Sequence, residues 1–168
     1  MTGTMLPRRR ASVAVCLGTA VATAGYRRRA LSRSGAIGAA VVGTVTYGAG
    51  SWRWSAPLLA FFAGSSVLSR LELGSAGGRA IAAMTERGTR RDLTQVLANG
   101  GVGTLAALSQ VLAPHPRLAW AFAGAYAAAN SDTWATEIGA LSPTPPRMIV
   151  SGRAVPPGTS GAVTPTGL

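Results

Sequence analysis

The chain has 168 residues, of which 48% are apolar and only 12% are Asp, Glu, Lys or Arg. Soluble domains carry roughly 25% charged residues because water must solvate their surfaces, so this composition argues against an ordinary cytosolic enzyme. The high apolar content argues equally against a disordered chain. The net charge is +11, from 16 Arg against five acidic residues. Such an excess can indicate either nucleic-acid binding or membrane topology.

The basic residues lie in clusters that flank long uncharged stretches. The clusters fall at residues 8–10, 27–33 and 87–91. Nucleic-acid modules usually distribute cations over a folded face with aromatic residues between them, and this sequence does not follow that pattern. Cations next to apolar segments are what the positive-inside rule describes for membrane proteins. We therefore expect membrane lipid around the chain and no nucleic-acid partner.

Five uncharged or nearly uncharged segments predict the helices. A membrane-spanning helix needs about 20 mainly apolar residues, and the abundant Ala and Gly allow close helix packing in a bilayer. The expected spans are residues 11–25, 34–51, 54–69, 93–113 and 118–141. The sequence therefore predicts an all-α, polytopic integral membrane helical bundle of four or five transmembrane helices. It forms a single membrane domain over residues 1–168, without an internal repeat.

The orientation of these helices follows from the Arg counts. Residues 27–33 hold four Arg and residues 70–92 hold five, so both segments are expected on the cytoplasmic side, together with the loop 142–160. The first span is the weakest, because it would leave the Arg cluster at 8–10 outside. Residues 8–24 also fit a cleaved signal peptide. The expected location is an integral membrane one, the plasma membrane in a bacterium.

Two residue types occur only once. Cys16 rules out an internal disulfide, and its apolar surroundings in the sequence predict a small packing residue. His115 lies between two prolines, where a structural role in a turn is the stronger interpretation. A Ser-His-Asp triad would need this histidine, so we do not expect that chemistry.

A first polar segment stands at the start of the fourth predicted helix. Asp92, Gln95 and Asn99 are spaced i, i+3 and i+7, so they share one helix face. Arg90 and Arg91 precede them and can bind phosphate oxygens. Asp92 is a candidate catalytic residue, and Gln95 and Asn99 form its polar face. The alternative is that Asp92 caps the helix and the face hydrogen-bonds to a neighbouring helix.

A second polar segment has two acids inside an apolar stretch. Asp132 and Glu137 are costly within a membrane and are therefore candidate catalytic residues. They lie about 140° apart around a regular helix, whereas Thr133 and Glu137 share a face. A kinked helix could bring both carboxylates to one Mg²⁺ ion, which prefers oxygen ligands. The alternative is that both acids form structural ion pairs with Arg.

The third segment is the loop 142–160, which is too rich in Pro and Gly to be a helix. Arg147 and Arg153 could bind phosphate through paired N–H groups. The residues whose exposed backbone could cradle a phosphate or nucleotide are Gly158, Thr159, Ser160 and Gly161. The alternative is a plain Pro/Gly turn, and the string is not a P-loop because the lysine is missing.

At these segments the chain resembles a known membrane family, domain of unknown function 92, which includes transmembrane protein 19 and the plant phytyl-phosphate kinases. The matching stretches are residues 64–70, 90–101, 130–139, 146–147 and 155–161. The strings Asp-Thr-Trp-Ala-Thr-Glu and Pro-Pro-Gly-Thr-Ser-Gly are the most specific. The resemblance covers residues 30–168, and residues 1–29 match weakly. It implies an integral membrane protein and, for the plant members, a kinase acting on an isoprenoid monophosphate with a nucleoside triphosphate, CTP or ATP.

The sequence departs from the family at two points. The usual Lys after the Ser-Ser motif is absent, and Arg79 is the nearest basic residue. Family members continue with further helices beyond the point where this chain stops, at Leu168. We therefore expect a C-terminally truncated chain.

Three functions remain open at this stage. In a lipid-phosphate kinase, Asp132 and Glu137 would hold Mg²⁺, Asp92 would assist as a base, and the Arg residues and the Gly-rich loop would bind phosphates. In a transporter or channel, Asp132, Glu137 and Asn99 would line a path through the bilayer. The third possibility is an inactive remnant.

Overall fold

The computed structural model describes residues 8–74 and 90–168. Five helices account for most of these residues, which confirms the all-α class. They are α1 (Arg8–Arg27), α2 (Arg33–Gly50), α3 (Trp52–Gly74), α4 (Leu93–Leu112) and α5 (Pro116–Ala140). Much of the segment 70–92, which was predicted to be cytoplasmic and includes Arg79, lies outside the described residues.

Each helix coincides with one of the five predicted spans to within a few residues. Helix α1 begins three residues before its predicted span, at Arg8, because Arg and Ala are strong helix formers. Judged by length and hydropathy together, no helix in the described ranges qualifies as a membrane span.

Two compact units divide the described chain. The first unit consists of residues 8–61 and 90–129, and the second of residues 62–74 and 130–168. The boundary passes through α3 and α5, so each unit contains part of both helices. A single membrane domain remains a prediction.

In the first unit, α1 packs against α2 through small side chains. The buried residues of α1 are Ala14, Gly18, Ala22 and Gly25. This spacing of three or four positions forms one stripe along the helix. A Cβ atom on Gly18 would lie 2.8 Å from the Ala40 carbonyl oxygen and 2.5 Å from the Thr44 hydroxyl oxygen. Glycine at this position therefore allows the two helix backbones to approach closely.

The segments that precede α2 and α4 pair with each other as extended backbone. The Ser32 amide donates to the Arg91 carbonyl at 3.0 Å, and the Arg91 amide donates to the Ala30 carbonyl at 3.0 Å. Ser32 and Asp92 are the N-cap residues of the two helices. The parallel pairing therefore sets α2 and α4 side by side in the same direction. A Cβ on Gly35 would clash with the Arg91 carbonyl oxygen.

This pairing aligns two helical hairpins of the same layout. In each hairpin an N-capped helix is followed by a short turn and a second helix. The first turn is Ser51, whose φ is 59°, and the second is residues 113–115. The likeness concerns the backbone, since the sequence shows no matching repeat.

Helices of the first unit bury small residues and expose aliphatic ones. The buried residues of α4 are Gly100, Gly103, Ala106 and Ala107. On the opposite side of α4, Val102, Leu105 and Leu112 are 65%, 64% and 75% exposed. A water-soluble helix buries its aliphatic side chains instead. Aliphatic faces turned outward and small residues turned inward are typical of helices that contact lipid.

Aromatic rings form the core of the first unit. The ring centroids of Trp54 and Phe122 lie 4.6 Å apart, and those of Phe122 and Tyr126 lie 4.8 Å apart. Phe61 joins this buried cluster. A Cβ on Gly103 would lie 2.5 Å from the Tyr126 ring, so the glycine makes room for the buried tyrosine.

Candidate functional site

The second unit contains a buried carboxylate. Glu137 on α5 is only 7% exposed, and the Ser69 hydroxyl on α3 donates a hydrogen bond to its Oε1 atom at 2.6 Å. A buried charge needs hydrogen-bond partners, because its transfer out of water is costly. This pair joins α3 to α5 and is the centre of the candidate site.

Helix α3 supplies a narrow polar stripe to this site. Ser65 is fully buried one turn before Ser69, on the same helix face. Gly64 leaves space for the Trp134 ring of α5, since a Cβ there would lie 3.2 Å from the indole. The two contacts, Gly64 with Trp134 and Ser69 with Glu137, advance along both helices in the same direction. In the second unit α3 and α5 therefore lie side by side.

Helix α5 contributes an amide to the same region. Asn130 lies two turns before Glu137 on the same face, and its Oδ1 atom is buried, as is Oε2 of Glu137. Thr133 is half-buried one turn before Glu137, as its predicted position on the same face requires. We call Ser65, Ser69, Asn130 and Glu137 the polar cluster.

Asp132 points away from this cluster. Helix α5 is regular through both acids, so Asp132 and Glu137 stay about 140° apart around its axis. Asp132 is exposed whereas Glu137 is buried. The kink that would bring both carboxylates to one ion is therefore not formed. Among the described residues, no group of three or more His, Cys, Asp or Glu side chains could hold a metal ion. A role in binding Mg²⁺ stays a prediction.

The segment 142–160, predicted as a Pro- and Gly-rich loop, forms a small sheet together with the residues that follow it. Strands β1 (Arg147–Met148) and β2 (Ala162–Val163) are antiparallel. Arg147 also pairs with Ala154 on the other side of β1. A 3₁₀ helix (Pro165–Gly167) follows. The prediction that this segment is not an α-helix is confirmed, and the turns within it are well defined.

The Pro-Pro-Gly-Thr-Ser-Gly string forms two successive β-turns. The Thr159 amide donates to the Pro156 carbonyl at 3.3 Å, and the Ala162 amide donates to the Thr159 carbonyl at 3.2 Å. The third residues of these turns, Gly158 and Gly161, have φ values of 86° and 78°, which glycine adopts most readily. Turn geometry thus accounts for both glycines. Solvent reaches all four predicted phosphate-binding residues of the string: Gly158, Thr159, Ser160 and Gly161.

Both arginines of this segment are exposed. The Arg147 guanidinium donates from Nη1 to the Gly152 carbonyl at 2.8 Å, which braces the turn between Met148 and Arg153. The two side chains flank the same turn, and their binding of phosphate stays a prediction.

The C-terminal end of the described chain is fastened to α5. The Thr164 hydroxyl donates to the Gly139 carbonyl at 3.3 Å. A Cβ on Gly167 would lie 2.6 Å from the Ala135 carbonyl and 2.9 Å from the Gly139 Cα. The small sheet is thus attached to the same two helical turns of α5 that carry Glu137.

Asp92 acts as a helix cap in the first unit. Its Oδ1 accepts the Gln95 amide at 2.9 Å, and the Gln95 Oε1 accepts the Asp92 amide at 3.1 Å. These reciprocal bonds form a capping box. Asn99 is half-buried on the same side of α4, so the predicted shared face is present. The capping interpretation of Asp92 is therefore confirmed, and a catalytic role stays a prediction.

The four predicted phosphate-binding arginines are divided between the units. Arg90 and Arg91 belong to the first unit and precede α4, where Arg90 is exposed and Arg91 is half-buried. Arg147 and Arg153 belong to the second unit.

Sequence reasoning did not select Ser69 as a site residue. A usable signal was present, because Ser65 and Ser69 are one helical turn apart within an uncharged predicted span.

Two other expectations, for His115 and Cys16, have clear outcomes. The His115 Nδ1 atom accepts the Arg117 amide at 3.2 Å, which is the predicted structural role. Cys16 is exposed on α1 and is not a packing residue, because the packed stripe of α1 lies on a different face.

These features define a class of protein: an all-α chain whose helices pack through small residues, expose aliphatic faces and bury a carboxylate. Such a combination is characteristic of helical membrane proteins. The family described as integral membrane protein DUF92 matches residues 16–168, and the chain belongs to this family. Its membrane association is thereby established.

Two curated relatives are similar to this chain in sequence. Protein PGR of Arabidopsis thaliana is 32% identical over 179 residues, covering 96% of this chain and 60% of that protein. An uncharacterized membrane protein of Methanocaldococcus jannaschii is 33% identical over 141 residues, covering 82% of this chain and 56% of that protein. The chain therefore spans a little over half the length of these relatives. No solved structure matches it.

Proposed function

We propose that this protein is a membrane kinase that transfers a phosphoryl group from a nucleoside triphosphate, CTP or ATP, to an isoprenoid monophosphate. The observation that carries the proposal is the hydrogen bond between Ser69 and the buried Glu137. Helix α5, which carries Glu137, is also attached to the segment that contains the small sheet with its Arg and Gly residues. A carboxylate buried between packed helices is energetically costly and is therefore a candidate functional residue. The resemblance to a family with phytyl-phosphate kinases supplies the substrate class.

The proposed reaction is a single transfer. An oxygen of the lipid monophosphate attacks the terminal phosphorus of the nucleotide, the bond from that phosphorus to its bridging oxygen breaks, and a nucleoside diphosphate leaves. Such transfers depend on positioning and on neutralising phosphate charge more than on covalent chemistry by the protein. Glu137 would accept a proton from the attacking phosphate or orient it, with Ser69 holding the carboxylate in place.

The two carboxylates of α5 could supply a magnesium ion with one protein ligand. Mg²⁺ commonly uses one or two carboxylates together with waters and substrate phosphates. Either Glu137 or the exposed Asp132 could therefore serve as a single protein ligand, although α5 does not aim both at one point. When bound, the ion would neutralise charge on the transferred phosphate.

Phosphate recognition would fall to the small sheet and its turns. Arg147 and Arg153 carry positive charge on an exposed turn, and guanidinium groups bind phosphate oxygens in pairs. The backbone of the Gly158–Gly161 turns is exposed and could add amide donors. For Arg90 and Arg91 of the first unit, phosphate binding is part of the same proposal.

The test is a membrane assay with isoprenoid monophosphate, Mg²⁺ and labelled CTP or ATP. We expect the wild-type chain to form the diphosphate and Glu137→Gln to lose that turnover while accumulating normally in membranes. Ser12→Ala is the matched control, since Ser12 lies on α1 in the first unit and its hydroxyl donates to the Arg8 carbonyl of its own helix. Absence of diphosphate from wild-type protein, or full turnover by Glu137→Gln, would overturn the proposal.

A transporter is the second candidate, and the polar cluster favours it. Ser65, Ser69, Asn130 and Glu137 follow one another over about two turns of α3 and α5, as groups along an ion or proton path would. Flux across liposomes without nucleotide turnover, abolished by Glu137→Gln, would support this function in place of the kinase.

A further inference from the structure

The turn after β1 is a closed and braced structure. The Gly152 amide donates to the Met148 carbonyl at 2.8 Å, and the Met148 amide donates to the Arg153 carbonyl at 3.0 Å. Gly152 has a φ of 65°, and the Arg147 guanidinium bonds its carbonyl from the side. These contacts hold the turn that includes Ile149 in one shape. We call residues 149–151 the hairpin tip.

The hairpin tip exposes two aliphatic side chains. Ile149 is 68% exposed and Val150 is 91% exposed. Tight turns normally carry Gly, Asn, Asp, Ser or Pro, because these residues suit the turn backbone and remain solvated. Two branched apolar residues at the apex of a well-formed turn are unfavourable in water, so they indicate a surface that contacts something apolar.

The residues around the hairpin tip are basic and contain no compensating acid. Arg147 precedes the tip and Arg153 follows it, and residues 141–168 contain no Asp or Glu. An apolar apex between two cations matches the bilayer interface, where acyl chains lie beneath a layer of anionic headgroups. Arginine side chains adapt to this geometry, because the stem contacts apolar groups and the guanidinium binds phosphate.

We infer that the hairpin tip inserts into the interfacial layer of the membrane in which the protein resides. Ile149 and Val150 contact the upper acyl chains, and Arg153 binds the phosphate of an anionic phospholipid, with the exposed Arg147 beside it. Two side chains are too small for a stable protein–protein interface, which needs on the order of 1,000 Å². A lipid surface has no such lower limit, and membership of an integral membrane family provides one next to the chain.

This inference goes beyond the proposed function and does not depend on it. If the protein is a kinase, insertion would bring Arg147 and Arg153 to the depth at which a lipid-borne phosphate lies. If it is not, the hairpin tip remains a membrane anchor. The experiment below contains no nucleotide, so its failure and the failure of the kinase proposal are distinguishable.

The experiment measures the depth of a label at the tip. Cys16 is exposed and would also react, so the background carries Cys16→Ser. Val150→Cys is labelled with the environment-sensitive fluorophore NBD, and the protein is placed in nanodiscs of equal parts phosphatidylcholine and phosphatidylglycerol. Ser160→Cys is the matched control, because Ser160 is also exposed and belongs to the same unit but lies on a polar turn.

We expect the label at position 150 to emit at shorter wavelength and to be quenched by nitroxides on the upper acyl chain. The control label should be quenched by aqueous iodide instead. Adding Arg153→Gln, or using phosphatidylcholine alone, should shift the label at 150 toward water. Equal, water-like behaviour of both labels would overturn the inference. If the emission of the label at position 150 is the same with Arg153→Gln or without anionic lipid, the assignment of Arg153 to an anionic headgroup would be overturned. A label shielded in native membranes but exposed in nanodiscs would identify a protein partner and also overturn it.

Discussion

The Ser69 hydroxyl donates to Oε1 of Glu137 at 2.6 Å and so links α3 to α5 across 68 positions of sequence. Both atoms lie where water is scarce, since Glu137 is buried. Hydrogen bonds to an ionised group are shorter and stronger than neutral ones. The buried carboxylate and this hydroxyl are therefore coupled in stability and in any chemistry of the site.

Removing the hydroxyl should destabilise the second unit. We expect Ser69→Ala to lower the free energy of unfolding by about 1–3 kcal/mol, the cost of removing the partner of a buried acceptor. Ser69→Thr retains the donor and should restore most of the loss. The measurement is denaturant unfolding in detergent micelles, with Ser12→Ala as the reference. If Ser69→Ala unfolds like the reference, the bond does not stabilise the packing.

Substitution of Asp92 should separate a cap from a catalytic base. We expect Asp92→Ala to cost about 0.5–2 kcal/mol, because the α4 amides lose their acceptor. Asp92→Asn keeps a capping oxygen but has no carboxylate, so it should retain most of the stability. Turnover in the diphosphate assay should also survive in Asp92→Asn. Normal stability with abolished turnover in that variant would instead assign Asp92 a part in the chemistry.

Enlarging Gly18 should separate α1 from α2. We expect Gly18→Val to destabilise the first unit by about 1–3 kcal/mol, because the new side chain overlaps the Ala40 carbonyl and Thr44. Gly124→Ala is the matched control, since a Cβ there meets nothing within 4 Å. That substitution should be neutral or stabilising by about 0.5–1 kcal/mol through helix propensity. Cross-linking between cysteines on α1 and α2 reports the separation, and equal yields in both variants would refute the close-packing account.

Tyr26 lies beyond the predicted span 11–25, and its phenol should lose its proton at a lower pH than an ordinary tyrosine. The Arg33 guanidinium hydrogen-bonds to it and adds its charge, and Arg90 contributes further, so the pKa of Tyr26 is lowered. A lowered pKa in the folded state favours the phenolate. The resulting stabilisation is present above the unfolded-state pKa and is lost as the pH falls through the folded-state pKa.

Arg33→Gln should therefore raise the pKa of Tyr26 toward its ordinary value. The change can be followed by phenolate absorbance, with Tyr26→Phe identifying the signal among the three tyrosines. An unchanged titration in Arg33→Gln would show that the two side chains do not interact in solution.

Much of the fold could be read from local sequence. The uncharged segments predicted the five helices of the described residues to within a few positions, because continuous apolar stretches and good helix formers are local properties. The i, i+3, i+7 face of Asp92, Gln95 and Asn99 was likewise predictable from helix geometry alone. The capping role of Asp92 was one of two open alternatives, and only the bond to the Gln95 amide selected it.

The candidate site was only half predictable. Glu137 stood out as an acid in an apolar segment, but so did Asp132, and nothing local ranked them. Ser69 passed unnoticed because a serine in a helix becomes significant only when its partner is known. The phosphate cradle predicted for the Pro-Pro-Gly-Thr-Ser-Gly string stays a prediction, and only the structure shows that its two glycines have the positive φ angles of the turns.

The sequence by itself determined the helix positions, the small-residue stripes, the excess of positive charge and the family. The first two depend on neighbours within a few turns of chain, and the last two on composition and on strings of residues along the chain. The tertiary structure decided which of two acids is buried, which serine it meets and which helices run side by side. Those outcomes depend on contacts between distant segments, such as residues 30–32 with 91 and Ser69 with Glu137. The spacing of residues within one segment does not predict which distant segment will contact it.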